Sequence, residues 1–172
     1  TVCRRMVLAI LFLLSFAVGA QDKTYRVALI AHSPPLSYTD AAGKFTGFNV
    51  EMATELCATM NIRCVQLPVA IDKVVDMAAS DEVDFAVVGF IPTPERKARV
   101  RFSKAYFQSM SVWLAKPSVT VGNSRSSVAV IKGSAQASHA HSMGWRTTEA
   151  ATNADISKLL ASGSADAAVL PM

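Results

Sequence analysis

The chain has 172 residues, 51% of them hydrophobic, with 17 Lys and Arg against 13 Asp and Glu and a formal net charge of +4. A balance so near neutrality makes no electrostatic case for nucleic acid as a partner. The length supports one domain-sized core, and the hydrophobic content is that of a folded chain, not a disordered one.

At the N-terminus Arg4 and Arg5 precede MVLAILFLLSFAVGA, an unbroken apolar or small run from Met6 to Ala20. A membrane-spanning helix needs about 20 such residues. This run is shorter, follows a basic head and ends on Val-Gly-Ala, so residues 1–20 read as a secretory signal peptide, with a retained N-terminal anchor as the alternative. Without Arg4 and Arg5, 15 basic side chains face 13 acidic ones. Cys3 leaves as well, and Cys57 and Cys64 remain, in ELCATMNIRC. An even cysteine count in an exported chain favours a disulfide closing this short loop. A zinc site is the rival, with no His nearby to complete its ligands, and no metal or other cofactor is expected.

From Tyr25, YRVALIA reads as a buried strand. HSPPLSYTDAAGKFTG, with paired prolines and two glycines, reads as a loop or hairpin. Val50, Ala53, Leu56, Cys57 and Met60 share one helical face, with Asn49 as N-cap and Glu51 in the first turn. CVQLPV is strand-like, Ile71 to Ala79 has helical spacing, and DEVDFAVVGF turns into another strand. Strand and helix alternating in this way predict right-handed βαβ units and a parallel sheet.

PSVTVGNSRSS reads as a connector. A second, shorter cycle follows: SVAVIKG, a helix from Gln136, TTEAAT, the helix DISKLLASG, and ADAAVL. DFAVV at Asp84 to Val88 and DAAVL at Asp166 to Leu170 form a weak pseudo-repeat, which predicts two similar α/β lobes. The lobe boundaries are set at 21–116 and 117–172. A chain that starts on Thr1 and stops straight after a strand is expected to be a fragment.

GFNVEMATELC, DEVDFAVVGF, TPERK and RFSKAYF, in this order and spacing, resemble the periplasmic solute-binding proteins of the polar amino-acid family (family 3). The match is good from Tyr25 to about Lys116 and loose from Ser127 to Leu170. The resemblance implies a two-lobed α/β fold that closes on its ligand like a trap, with the second lobe and the return to the first incomplete here. It implies a monomer in the periplasm that hands an amino acid or other small carboxylate to the membrane subunits of an ABC importer. The Cys57–Cys64 spacing is similar to a disulfide of the basic amino-acid binders.

The family's ligand arginine falls on Arg96, in a helix capped by Thr93. A guanidinium fork takes a carboxylate through two parallel charge-assisted hydrogen bonds, which lysine cannot imitate. Lys97, Arg99, Arg101 and Lys104 have no counterpart role and are expected on a solvated face. Gly89 takes the position whose carbonyl meets the ligand's ammonium. Ile91 stands where the family carries a carboxylate-binding hydroxyl. Ser33 and Leu36, with Tyr38 just beyond, lie nearest the place of its aromatic platform. Ile71 stands where it often has a second aromatic, and Ser134 keeps one hydroxyl of the second-lobe turn. Pro171 stands at the place of the aspartate that pairs with the ammonium. The carboxylate half of the site is thus partly kept while the ammonium half has lost its charge, which favours a carboxylate with an apolar or uncharged body.

The same module fronts membrane sensor kinases and murein lytic transglycosylases, and some relatives dehydrate cyclic acids. Such an enzyme needs a general acid, for which His32 is the candidate; His139 and His141 read as a wet helix face. Trp113 and Trp145 are too isolated to argue for a protein-contact surface. We therefore read a binding protein and not an enzyme.

Overall fold

A computed structural model describes residues 23–123 and 125–171, so the segment read as a signal peptide lies outside the described residues. The first half runs β1 (Thr24–Ile30), β2 (Tyr38–Thr39), β3 (Phe45–Thr46), α1 (Phe48–Thr59), β4 (Arg63–Val69), α2 (Val74–Ala79), β5 (Phe85–Ala86) and α3 (Pro94–Lys97). The second half runs β6 (Ser111–Ala115), β7 (Ser127–Ile131), α4 (Ala135–Ser142), β8 (Arg146–Ala150), α5 (Asn153–Ala161) and β9 (Ala167–Pro171). Among the described residues no helix is long and apolar enough to cross a membrane.

Two mixed α/β lobes result. In the first, β1 lies between β4 and β5 and is parallel to both. Val27, Ala28 and Leu29 in its middle are fully buried, as a central parallel strand with both faces covered requires. Ala53 and Cys57 of α1 pack on Val27, Leu29 and Val87. In the second lobe the order is β6-β9-β7-β8, with β6 antiparallel to β9 and the others parallel. Every residue of β7 is buried. One side of this sheet packs on Ile156 of α5, the other on Ala137 and Ala140 of α4.

The pseudo-repeat is structural as well as verbal. Asp84 accepts the Arg26 N–H at 2.8 Å and donates its own N–H to the Arg26 carbonyl at 2.9 Å. Asp166 does the same to Ser127, at 2.7 Å and 2.8 Å. In each lobe an aspartate thus fastens a strand to the start of its parallel neighbour.

Four local expectations need correcting. Asn49 is not a helix cap: α1 starts at Phe48, after Gly47, and Asn49 is buried with its N–H on the Leu36 carbonyl. Gly47 has φ 123°, and a Cβ there would lie 2.6 Å from the Leu36 carbonyl oxygen, so the chain can enter the helix only through glycine. The helix predicted from Ile71 starts at Val74. The strand predicted across DEVDFAVVGF is confined to Phe85–Ala86, although Asp84 and Val87 extend its hydrogen bonding to β1. Ser111–Ala115, within the stretch assigned to the first lobe, pairs with β9 and so belongs to the second sheet.

The lobes touch. Ile71, from the loop after β4, packs on the apolar cluster around Ile131 and Ile156. Gly133 has φ 73°, and a Cβ built on it would lie 2.7 Å from the Asp72 Cα. Lys132 Nζ reaches Asp72 Oδ2 at 3.4 Å beside it.

Candidate functional site

The carboxyl ends of the parallel strands of both lobes open on one cavity of about 1830 Å3. From the first sheet come Ile30 to Ser33, Val69 to Ile71 and Ala86 to Pro92, and from the second Ile131, Ser134 to Gln136, Ala151 to Asn153 and Pro171. Open parallel sheets hold ligands at this place because loops there are free of the ladder and helix N-termini point toward it. The volume exceeds the roughly 300–1,000 Å3 of a usual small-molecule pocket. The lining continues past the strand ends along Met52 and Leu56 of α1, Met60 just after it, and residues 99–110.

Arg96 stands at the junction of the lobes. The Thr93 hydroxyl accepts the Arg96 N–H at 3.4 Å, and Pro94 opens α3, where its missing N–H costs nothing. Glu95 is held to its own N–H and to the Thr93 hydroxyl, which lowers its pKa. It forms no salt bridge with Arg96. The Arg96 fork donates instead from Nη1 to the Ile91 carbonyl and from Nη2 to the Gly133 carbonyl of the other lobe, both at 2.9 Å. The guanidinium carbon lies 4.1 Å from the Phe90 ring centre. Half-burial pushes the guanidinium's pKa down, opposed by the charge on Glu95. The guanidinium stays charged, since arginine does not lose its proton in a protein. Among the described residues no carboxylate neutralises Arg96 at salt-bridge distance.

All six sequence-predicted residues line the cavity: Arg96, Gly89, Ile91, Ser33, Ile71 and Ser134. Ser134 is 3% exposed and caps α4, its Oγ accepting the Ala137 N–H at 3.0 Å. Ser33 anchors the turn that closes on Ser37, through N–H to carbonyl at 2.8 Å. Ile71 divides its surface between the cavity and the second-lobe core. His32 and Pro171 are also on the wall. Leu36 and Tyr38 are not.

Arg99, Arg101 and Lys104 border the cavity as exposed side chains, and Arg99 is occupied by Asp76 at 2.8 Å. His139 and His141 are exposed, the first against the Trp145 ring and the second at 3.0 Å from Thr147 Oγ1. Among the described residues no group of three or more His, Cys, Asp and Glu could hold a metal ion. Cys57, late in α1, is disulfide-bonded to Cys64 of β4, which removes the zinc alternative.

Among the wall residues that the sequence reading did not single out are Phe90, Gln136 and Tyr106. Gln136 is buried and gives its Nε2 to Ser111 Oγ at 2.9 Å. Tyr106 donates to the Val88 carbonyl at 3.0 Å, and burial raises its pKa. The available signal was an aromatic directly after Gly89, but nothing local places it beneath Arg96.

Comparison with known proteins gives the same fold. The arginine-binding periplasmic protein of Mannheimia haemolytica is 29% identical over 113 residues, which cover 66% of this chain and 46% of that relative. The chain spans about half the length of such curated relatives. A solved ancestral arginine-binding protein bound to arginine superposes with a TM-score of 0.78 at 25% identity, over 86% of this chain and 70% of the other. A solved ancestral amino acid-binding protein, described as a precursor of cyclohexadienyl dehydratase, gives 0.77 at 26%, with the same coverages. The family model for bacterial extracellular solute-binding proteins, family 3, matches residues 25–169. With the strand-end cavity between paired α/β lobes, that match over most of its length makes this chain a member of the bacterial extracellular solute-binding proteins, family 3.

Proposed function

We propose that this chain is the capture part of an exported solute-binding protein. It is secreted through residues 1–20, takes a small carboxylate between its lobes and delivers it to the membrane subunits of an ABC importer. The carrying observation is Arg96, a half-buried cation at the lobe junction whose side-chain hydrogen bonds, among the described residues, go to neutral carbonyls. A carboxylate oxygen makes roughly twice as strong a bond to such a fork as a neutral acceptor does. Charge alone therefore favours an anionic ligand there.

The ligand's other half meets Gly89, Ile91, Ile71 and Pro171, none of them anionic; the two aspartates on the cavity lining, Asp81 and Asp84, stand before β5, at the opposite end of that strand from Gly89. An ammonium group buried among them lacks a counter-ion, which costs several kcal/mol. The relatives named for arginine suggest an amino-acid-like size, while this wall favours an acid without the ammonium. We read the chain as a binder and not an enzyme: His32 lies on the wall, but among the described residues no acid or hydroxyl is bonded to it to set up proton transfer.

The test is calorimetry on the complete exported protein with isocaproate, L-leucine (the same skeleton with an amino group) and the uncharged isocaproamide. Isocaproate is expected to bind most tightly. Arg96→Lys is expected to weaken it by about 1.5–3 kcal/mol, roughly 10- to 150-fold. Arg99→Lys and Arg101→Lys are expected to change binding by less than about 0.5 kcal/mol. Equal losses from all three, or tight binding of the amide, would remove Arg96 as the carboxylate clamp.

A further inference from the structure

A guanidinium has two flat faces and an edge of five N–H donors. At Arg96 two of those donors are already taken by the Ile91 and Gly133 carbonyls. One face is covered by Phe90, with the guanidinium carbon 4.1 Å from the ring centre. Both side chains are half-buried on the cavity wall. In this position the ring fixes the plane in which the remaining N–H groups lie. The π-face attracts the cation, and a ring offers a flat bearing surface that an aliphatic side chain of like volume does not.

Ile91 carries no hydroxyl, so the side chain at that position gives a carboxylate no hydrogen bond. More of the orientation then falls to the fork itself. A fork free to rotate about its last torsions loses more freedom on binding than one already held in plane.

We propose that Phe90 is the positioning residue of the site: by stacking on Arg96 it holds the guanidinium plane so that a carboxylate is received edge-on in the cleft. The inference rests on the reading of Arg96 as the carboxylate clamp, and it adds a selectivity. A planar carboxylate lying in the plane of the fork is accepted. A sulfonate can present two oxygens to the fork, but its third stands out of that plane, and it is expected to be held less well.

Two measurements test it on the complete exported protein, with Phe90→Leu, Phe90→Tyr and Arg96→Lys. The first needs no ligand. The Arg96 side-chain N–H proton resonance, assigned by its loss in Arg96→Lys, is expected upfield from ring-current shielding. The shift disappears in Phe90→Leu and returns in Phe90→Tyr.

The second is calorimetry with isocaproate and its sulfonate analogue. Phe90→Leu is expected to weaken isocaproate about two- to fivefold and to narrow its preference over the sulfonate. Phe90→Tyr restores both. An unshifted Arg96 resonance in the parent protein overturns the stack. A Phe90→Leu protein that keeps both affinities, while Arg96→Lys loses isocaproate binding, overturns the positioning role and leaves the clamp standing. An isocaproate affinity untouched by Arg96→Lys overturns the clamp, and the positioning role with it.

Discussion

Asp84 gathers the Arg26 N–H at 2.8 Å, the Arg26 Nε at 3.3 Å and the Lys23 Nζ at 2.7 Å. The Arg26 backbone bond foremost, then the Lys23 contact, lowers its pKa from 3.8 to about 2. On acidification the unfolded chain therefore takes up this proton first. The contribution is whole above the ordinary value of 3.8 and is lost as the pH falls through about 2. Asp84→Asn is expected to be less stable than the parent at neutral pH, with the gap closing toward about pH 2. Denaturant midpoints measured across that range check it, and a gap independent of pH would show that the carboxylate charge contributes nothing. Single residues differ in how openly the sequence displays them. Arg96 is legible through the resemblance that TPERK carries, with Thr93 and Pro94 marking the helix start that holds it. Phe90 is not, because its contact with Arg96 arises only when the Ile91-Pro92 turn folds back, and no periodicity encodes a turn's direction.

Helix α1 and strand β4 carry the clearest test at the level of elements. The Cys57–Cys64 bond joins them across a sequence separation of 7, reinforcing a contact that Ala53, Cys57 and Cys64 already make in the first-lobe core. So short a loop is worth about 2–3 kcal/mol of chain entropy. The unreduced protein freed of residues 1–20 is expected to show no thiol reactive to titration. Reduction is expected to lower its melting midpoint without abolishing cooperative unfolding; two reactive thiols per chain would show that the bond does not form. Elements held by local pattern, such as β1, β4, β7 and α5, could be read directly. Strand β6 could not, since its partner Ala167–Pro171 lies far along the chain and antiparallel pairing leaves no local trace. The same limit shortened β5: among the described residues it pairs with β1 alone, over Phe85 and Ala86, and nothing local in DEVDFAVVGF marks where that pairing stops.

At the scale of the molecule, the two lobes repeat one construction, a parallel sheet fastened by an aspartate, and turn the same strand ends toward a common cavity. The sequence shows the repeat through DFAVV and DAAVL, but not how closely the halves approach. That approach is set by Gly133, whose missing Cβ lets its backbone rest on the backbone of Asp72. Here Gly133 meets Asp72 with no side chain of its own in the way, beside the Ile71 packing and the Lys132–Asp72 ion pair, and the contact is expected to act as a fulcrum. A few tenths of an ångström inserted there are expected to become a larger gap at the opposite rim. Gly133→Ala inserts that wedge and adds the strain of a Cβ at φ 73°. Stopped-flow measurements on the complete protein are expected to show isocaproate leaving faster, while its arrival, governed by encounter, is little changed. An unaltered departure rate would mean that the hinge tolerates the wedge. If the rate rises as expected, one hydrogen atom in place of a methyl group sets how long a ligand of the proposed kind stays between the lobes.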